Sequence, residues 1–253
     1  MAFFRWNRKF KHNLREWVGM ALWVSGALLL AYGVIRVPAG VRWFMGHGAG
    51  GDADKMSARV LVIRVESRSD AENNNMRLAL RTFADGVSKT VFKRPVRLSF
   101  EVLPREAAGM AVFLRQKIAK LSPSLIMVFG RSGSGGYKLA IQASKGVAAI
   151  EGPQRYLIRL PVHDMQRRLS DAGYPALIKY ASEPGDADDL DGDTAFYVVM
   201  SLATQGDQVI PAGYVQVPGY DASIRKTPRQ WADSTAGAFK IIIEAALASV
   251  GQE

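Results

Sequence analysis

The chain has 253 residues, an apolar share of 48% and a formal net charge of +10. That gives room for one large domain or two small ones around a real core. It has no cysteine, which excludes disulfide frameworks, thiolate metal sites and cysteine nucleophiles.

A basic balance is one signature of nucleic-acid binding. Here Arg5, Arg8, Lys9, Lys11 and Arg15 crowd the first sixteen residues against Glu16 alone. Much of the excess is therefore a local tail, residues 1–16, and no nucleic-acid partner is expected. Trp17 to Ile35 then runs nineteen residues without a charged side chain. At a rise of about 1.5 Å per residue, such a helix nearly spans the roughly 30 Å hydrocarbon core of a bilayer. The run is longer than a signal-peptide apolar region, and no clear small-x-small cleavage site follows Ile35. Five Lys/Arg precede the run, against Arg36 and Arg42 in the near flank after it. The positive-inside bias predicts a single-pass inner-membrane anchor with a cytoplasmic N-terminus and the remainder periplasmic or extracellular. The lipid bilayer is thus one expected partner. Residues 36–57 include Gly46-His-Gly-Ala-Gly-Gly51 and read as a flexible linker.

The pattern changes at Ala58, and residues 58–253 read as one domain. Arg59–Val65 and Leu125–Phe129 are aliphatic runs expected of strands buried on both faces. Val96–Leu103 alternates as a strand does. Met76–Val87 and Glu106–Leu121 carry apolar residues at helical spacing, and Ser67–Asn75 reads as loop. Further on come a helix at Val162–Ala172, a strand at Ala176–Tyr180, a helix at Thr194–Thr204, a strand at Ala212–Val217 and a closing helix at Trp231–Val250. Strands alternating with helices predict an α/β layer sandwich with a mainly parallel sheet. The ends of the strands at Ala176–Tyr180 and Ala212–Val217 are expected at one rim, where such sheets place their sites.

The motifs at that rim fall short of known chemistry. The turn Gly130-Arg-Ser-Gly-Ser-Gly-Gly136 follows a strand, but no lysine and Ser/Thr complete a P-loop. It also lacks the G-x-S-x-G spacing of a nucleophile elbow. It reads as a permissive turn. The acidic stretch Asp186 to Asp193 has no residue for the first and twelfth positions of an EF-hand, Ala187 and Val198 standing there. It reads as a solvated loop with Asp193 near a helix start. His163 adjoins Asp164, yet neighbours on a helix do not face each other. It reads as a surface residue. Neither a cofactor nor a metal is expected.

Several segments together resemble pyroglutamyl peptidase I, the cysteine peptidase that removes N-terminal pyroglutamate. They are Arg59 to Val65, Leu103-Pro104 with the helix to Leu121, and Ser122-Pro-Ser-Leu-Ile-Met-Val-Phe-Gly130. Leu160-Pro161-Val162, Ala172-Gly-Tyr-Pro-Ala176, Phe196-Tyr-Val-Val-Met200 and Ala212-Gly-Tyr-Val-Gln-Val-Pro218 complete the order. The resemblance implies a three-layer α/β/α sandwich and, from bacterial relatives, a tetrameric tendency. It also implies a Glu–Cys–His arrangement in which a thiolate attacks and an imidazole shuttles the proton. Those positions fall at Ser144, Gly192 and Gln216 in this chain. The family's glycine-rich substrate loop corresponds to Arg64–Ala71, which has no glycine and no phenylalanine. The expectation is a catalytically inactive pseudoenzyme, a binding or scaffold subunit of an envelope complex, with a protein partner or a second copy of itself. The alternatives are a hydrolase of non-cysteine chemistry, using Ser132, Ser134 or Ser144, and a sensor of a small peptide or amino-acid derivative. The candidate binding rim is Arg64, Glu66, Arg131, Ser132, Asp189, Asp191, Asp193 and Gln216. The membrane topology predicts that a reporter enzyme active only outside the cytoplasm, fused after Glu253, is active in cells. Deletion of residues 17–35 is expected to abolish that activity.

Overall fold

The computed structural model describes residues 57–250, apart from 67–68, 88–91, 93–94, 104–106, 134, 146–150, 181–189, 207–208 and 222–225. The basic tail, the apolar run 17–35 and the linker up to residue 56 lie outside the described residues. Among the described residues no helix is long and apolar enough to cross a membrane.

Eight strands and five helices are described: β1 (Ala58–Val65), α1 (Asp70–Val87), β2 (Val96–Leu103), α2 (Ala107–Leu121), β3 (Leu125–Ser132), β4 (Tyr137–Ala140), β5 (Gln142–Ser144), β6 (Arg155–Leu157), α3 (Val162–Asp171), β7 (Ala176–Lys179), α4 (Leu190–Ala203), β8 (Ala212–Pro218) and α5 (Pro228–Ser249). The main sheet has the order β2-β1-β3-β8-β4-β7, and β5 and β6 form a separate antiparallel pair. β2, β1, β3 and β8 are mutually parallel. β4 runs antiparallel to β8 and parallel to β7. β7 and β8 therefore run in opposite senses. Their ends do not share a rim, contrary to the reading of the sequence. β4, β5 and β6 are too short and too polar in pattern to stand out as strands.

The sheet sorts its side chains by alternation. Val60, Val62, Met127, Phe129, Val215 and Val217 join one core with α1, α3 and α5. Leu61, Ile63, Ile126, Val128, Ala212 and Tyr214 join a second core with α2 and α4. The result is the expected three-layer α/β/α sandwich. Phe239 of α5 organises the first core. Its ring lies 4.4 Å from Phe129 and 5.9 Å from Phe83, the second contact edge-on. α5 starts on a capping box in which the Gln230 backbone N–H donates to the Thr227 hydroxyl at 3.2 Å. In return the Thr227 N–H donates to the Gln230 side-chain oxygen at 2.9 Å. Two orphan donors are satisfied, with Pro228 at the first helical position.

α1 begins six residues before the apolar periodicity does, at Asp70 rather than Met76. The Ser69 hydroxyl accepts from the Glu72 backbone at 3.4 Å, and Asp70 and Glu72 sit in the first turn. Carboxylates there favour the helix terminus, while the first buried residue is Ala79. The turn is set by capping, which apolar spacing does not report. β3 likewise runs on through Gly130 to Ser132, so the first part of the glycine-rich stretch is strand rather than turn. α4 begins at Leu190, which makes Gly192 and Asp193 helical.

Tyr137 opens β4, and its hydroxyl is buried against α5. Burial pushes this phenol well above its ordinary value, and a hydrogen bond with the Thr235 hydroxyl opposes that. The unfolded chain, with a tyrosine near pKa 10, ionises first as pH rises. The Tyr137 contribution is thus complete below about pH 10 and is lost above it. Denaturant titrations are expected to show stability falling above about pH 10, with a shallower fall in Tyr137→Phe.

Candidate functional site

The carboxyl ends of β1, β3 and β8 carry most of the polar side chains singled out in the sequence. Register fixes their order. Arg64 of β1 lies opposite Phe129 of β3, Gly130 opposite Gln216, and Ser132 opposite Pro218. Lys138 of β4 lies on the other side of Gln216. Alternation then divides the rim in two. Arg64 and Arg131 belong to the face of α1 and α5. Ser132 and Gln216 belong to the face of α4.

On the first face the first turns of α1 hold both arginines. The Arg64 guanidinium is 2% exposed. Its Nη1 donates to the Asn73 carbonyl at 3.0 Å and to Asn73 Oδ1 at 3.2 Å. Its Nη2 lies 3.5 Å from Glu66. Burial lowers its pKa, and Glu66 works against that. Arg131 Nη2 pairs with Glu72 Oε1 at 2.8 Å, while its buried Nε has no hydrogen-bond partner. The cavity left there is about 30 Å³ and is lined by Val65, Asn73, Arg131, Gly219 and Trp231, among others. That volume holds about one water molecule. Small-molecule sites run to roughly 300–1,000 Å³.

On the second face Gln216 is 1% exposed and Ser132 2%. Tyr214, two residues before Gln216, stacks on Phe196 of α4 with ring centroids 5.4 Å apart. Gly130 makes that placement possible, because a Cβ there would lie 2.3 Å from the Tyr214 hydroxyl oxygen. Gly192 is buried in the first turn of α4. Next to it Asp193 pairs with Lys179, the last residue of β7, at 3.2 Å. The two side chains are only 18% and 8% exposed. Removing one member of so buried a pair strands the other charge. Asp193 is therefore a tied structural carboxylate rather than part of a solvated loop. Asp189 and the side chain of Asp191 lie outside the described residues.

The structure does not bring all candidates together. Ser144 lies in β5, opposite Arg155 of β6, outside the main sheet that carries Gln216. His163 is exposed on α3, a helix of the opposite face from Ser132. Its neighbour Asp164 pairs with Arg167 and Arg168, and those arginines hold its carboxyl below the usual range. Ser134 lies outside the described residues. Among the described residues no group of three His, Asp or Glu side chains could hold a metal ion. Sequence reading missed Glu72, Asn73, Lys138 and Lys179. Only the cap at Ser69 foreshadows the first two, and the other two depend on strand direction.

The parallel core β2-β1-β3-β8, flanked by β4 and β7 in the opposite sense, has close counterparts among solved structures. The fold is that of pyroglutamyl peptidase I. The pyrrolidone carboxyl peptidase from Thermococcus litoralis matches with a TM-score of 0.58 and 16% identity, over 76% of this chain and 94% of that one. Pyroglutamyl peptidase I from Bacillus amyloliquefaciens matches with a TM-score of 0.60 and 18% identity, over 76% and 98%. The Thermus thermophilus pyrrolidone carboxyl peptidase gives 0.55 and 19%, over 74% and 99%. No family model matches the chain, and no curated protein matches it.

Gly130→Ala is expected to destabilise the domain by about 1–3 kcal/mol, the usual cost of overpacking a core. The Tyr214 hydroxyl oxygen is the nearest atom to the added Cβ, so Tyr214→Phe in the same chain should restore part of the loss. Chemical denaturation of the two variants reads both effects.

Proposed function

We propose that this chain is a single-pass inner-membrane protein that holds a catalytically inactive pyroglutamyl peptidase-like domain outside the cytoplasm. Its role is that of a binding or scaffold subunit of an envelope complex. The observation that carries the reading is the pair Gly192 and Gln216, at the positions where the resemblance implies a cysteine nucleophile and a histidine base. Glycine offers no nucleophile, and an amide does not exchange a proton near neutral pH. The whole chain contains no cysteine, so the loss of the thiolate does not depend on alignment. Both positions are buried.

The membrane part rests on the uncharged run Trp17–Ile35 and on the basic residues that precede it. A partner protein or a second copy of the chain is the expected occupant of the domain's surface, and tethering to a bilayer raises the effective concentration for either.

The full-length chain, purified in mild detergent, is expected to release no fluorophore from a pyroglutamyl-coumarin amide above the protein-free rate. Turnover on the order of 1 s⁻¹ or more, within the ordinary range of enzymes, overturns the reading.

A further inference from the structure

The amino end of the sheet carries a second concavity. Strand alternation turns Arg59 and Leu61 of β1, and Ser99 opposite Leu61 on β2, toward the side of α2. α2 stops at Leu121, and a cleft of about 240 Å³ opens where the helix ends. Arg59, Leu61, Ser99, Lys120, Leu121 and Pro123 are among its lining residues, and no carboxylate is. Arg59 and Lys120 are exposed and Ser99 is half-buried. Among the described residues neither Arg59 nor Lys120 forms an ion pair. Both cations stand on fixed backbone. The Arg59 N–H donates to the Ser124 hydroxyl at 3.0 Å, and the Arg59 carbonyl accepts from the Ser124 N–H at 2.8 Å. Lys120 closes a helix whose Met110 and Leu114 are buried in the second core. Further along the same face of β2, Glu101 is buried and paired with Lys117, so its charge is offset.

We propose that this cleft binds a small phosphate monoester. Arg59 and Lys120 take the phosphate with the Ser99 hydroxyl, and the ligand's apolar group lies on Leu61, Leu121 and Pro123. The site uses only residues 59–123 and stands whether or not the chain is a membrane-anchored pseudoenzyme. Charge, lining and size select this class. Two cations match a dianion, and a guanidinium presents the planar fork that fits phosphate oxygens. The apolar lining favours a phosphate carried on a short apolar group over a bare ion. A volume of about 240 Å³ lies below the roughly 300–1,000 Å³ of drug-sized sites, which limits the occupant to a small molecule. The end of α2 opposes an anion with about half an elementary charge, and two full cations outweigh it. One of its terminal carbonyls, that of Ile118, already accepts from the Ser122 N–H at 2.8 Å.

Calorimetric titration of the full-length chain with phenyl phosphate, in an uncharged detergent and phosphate-free buffer, tests the site. Saturable binding at one equivalent is expected, weakening as salt is raised. Arg59→Ala and Lys120→Ala should each weaken it about tenfold or more, the usual loss when a charge-assisted hydrogen bond is removed. Both side chains are exposed, so neither variant should disturb the fold. Arg229→Ala, at the exposed start of α5 on the other side of the sheet, should bind as the parent does. Inorganic phosphate and benzoate should each bind several-fold more weakly, the first lacking the apolar contact and the second a charge. Failure to saturate at millimolar phenyl phosphate overturns the proposal, as does undiminished binding in the double variant Arg59→Ala, Lys120→Ala. Benzoate or inorganic phosphate binding as tightly as phenyl phosphate overturns the assignment to a monoester.

Discussion

β3 and β8 pair in parallel from Ile126 with Ala212 to Ser132 with Pro218, and both helix layers hang from that pairing. The two segments are separated by 79 residues in sequence. Once they are in register, Phe129 and Val215 turn to α5 while Val128 and Tyr214 turn to α4. A one-residue slip would exchange the two sets of side chains between the faces. It would bury Gln216 among the aromatics of α5 and drive the Tyr214 ring out of the space that Gly130 leaves for it. The register is therefore held by apolar burial on both sides of the sheet rather than by any single bond.

The same register decides what the rim can do. It sets Gln216 between Gly130 and Lys138, on the face that packs against α4. On the other face it aligns Arg64 and Arg131 under the first turns of α1, where Asn73 and Glu72 hold them. The arginines of the rim are thus engaged within the domain. The Lys179–Asp193 pair is largely buried; a pair of that kind contributes little net stability, and removing one member costs far more. These contacts hold the first turns of α1 and α4 in place.

Much of the fold was legible in the residues. Arg59–Val65, Leu125–Phe129 and Ala212–Val217 are short aliphatic or alternating runs, and α2, α3 and α5 carry apolar residues at helical spacing. Burial writes itself directly into such patterns. The absence of any thiolate was also legible in composition alone. The direction of β7 was not, because the sense in which a strand enters a sheet is set by its neighbours. Nor was the start of α1, since a helix turn held by a cap and acidic residues has no apolar stripe to betray it. The division of the rim between two faces, the Lys179–Asp193 pair and the cleft beside Arg59 join residues far apart in the chain. Only the packed sheet, through its register and alternation, decides which of them meet.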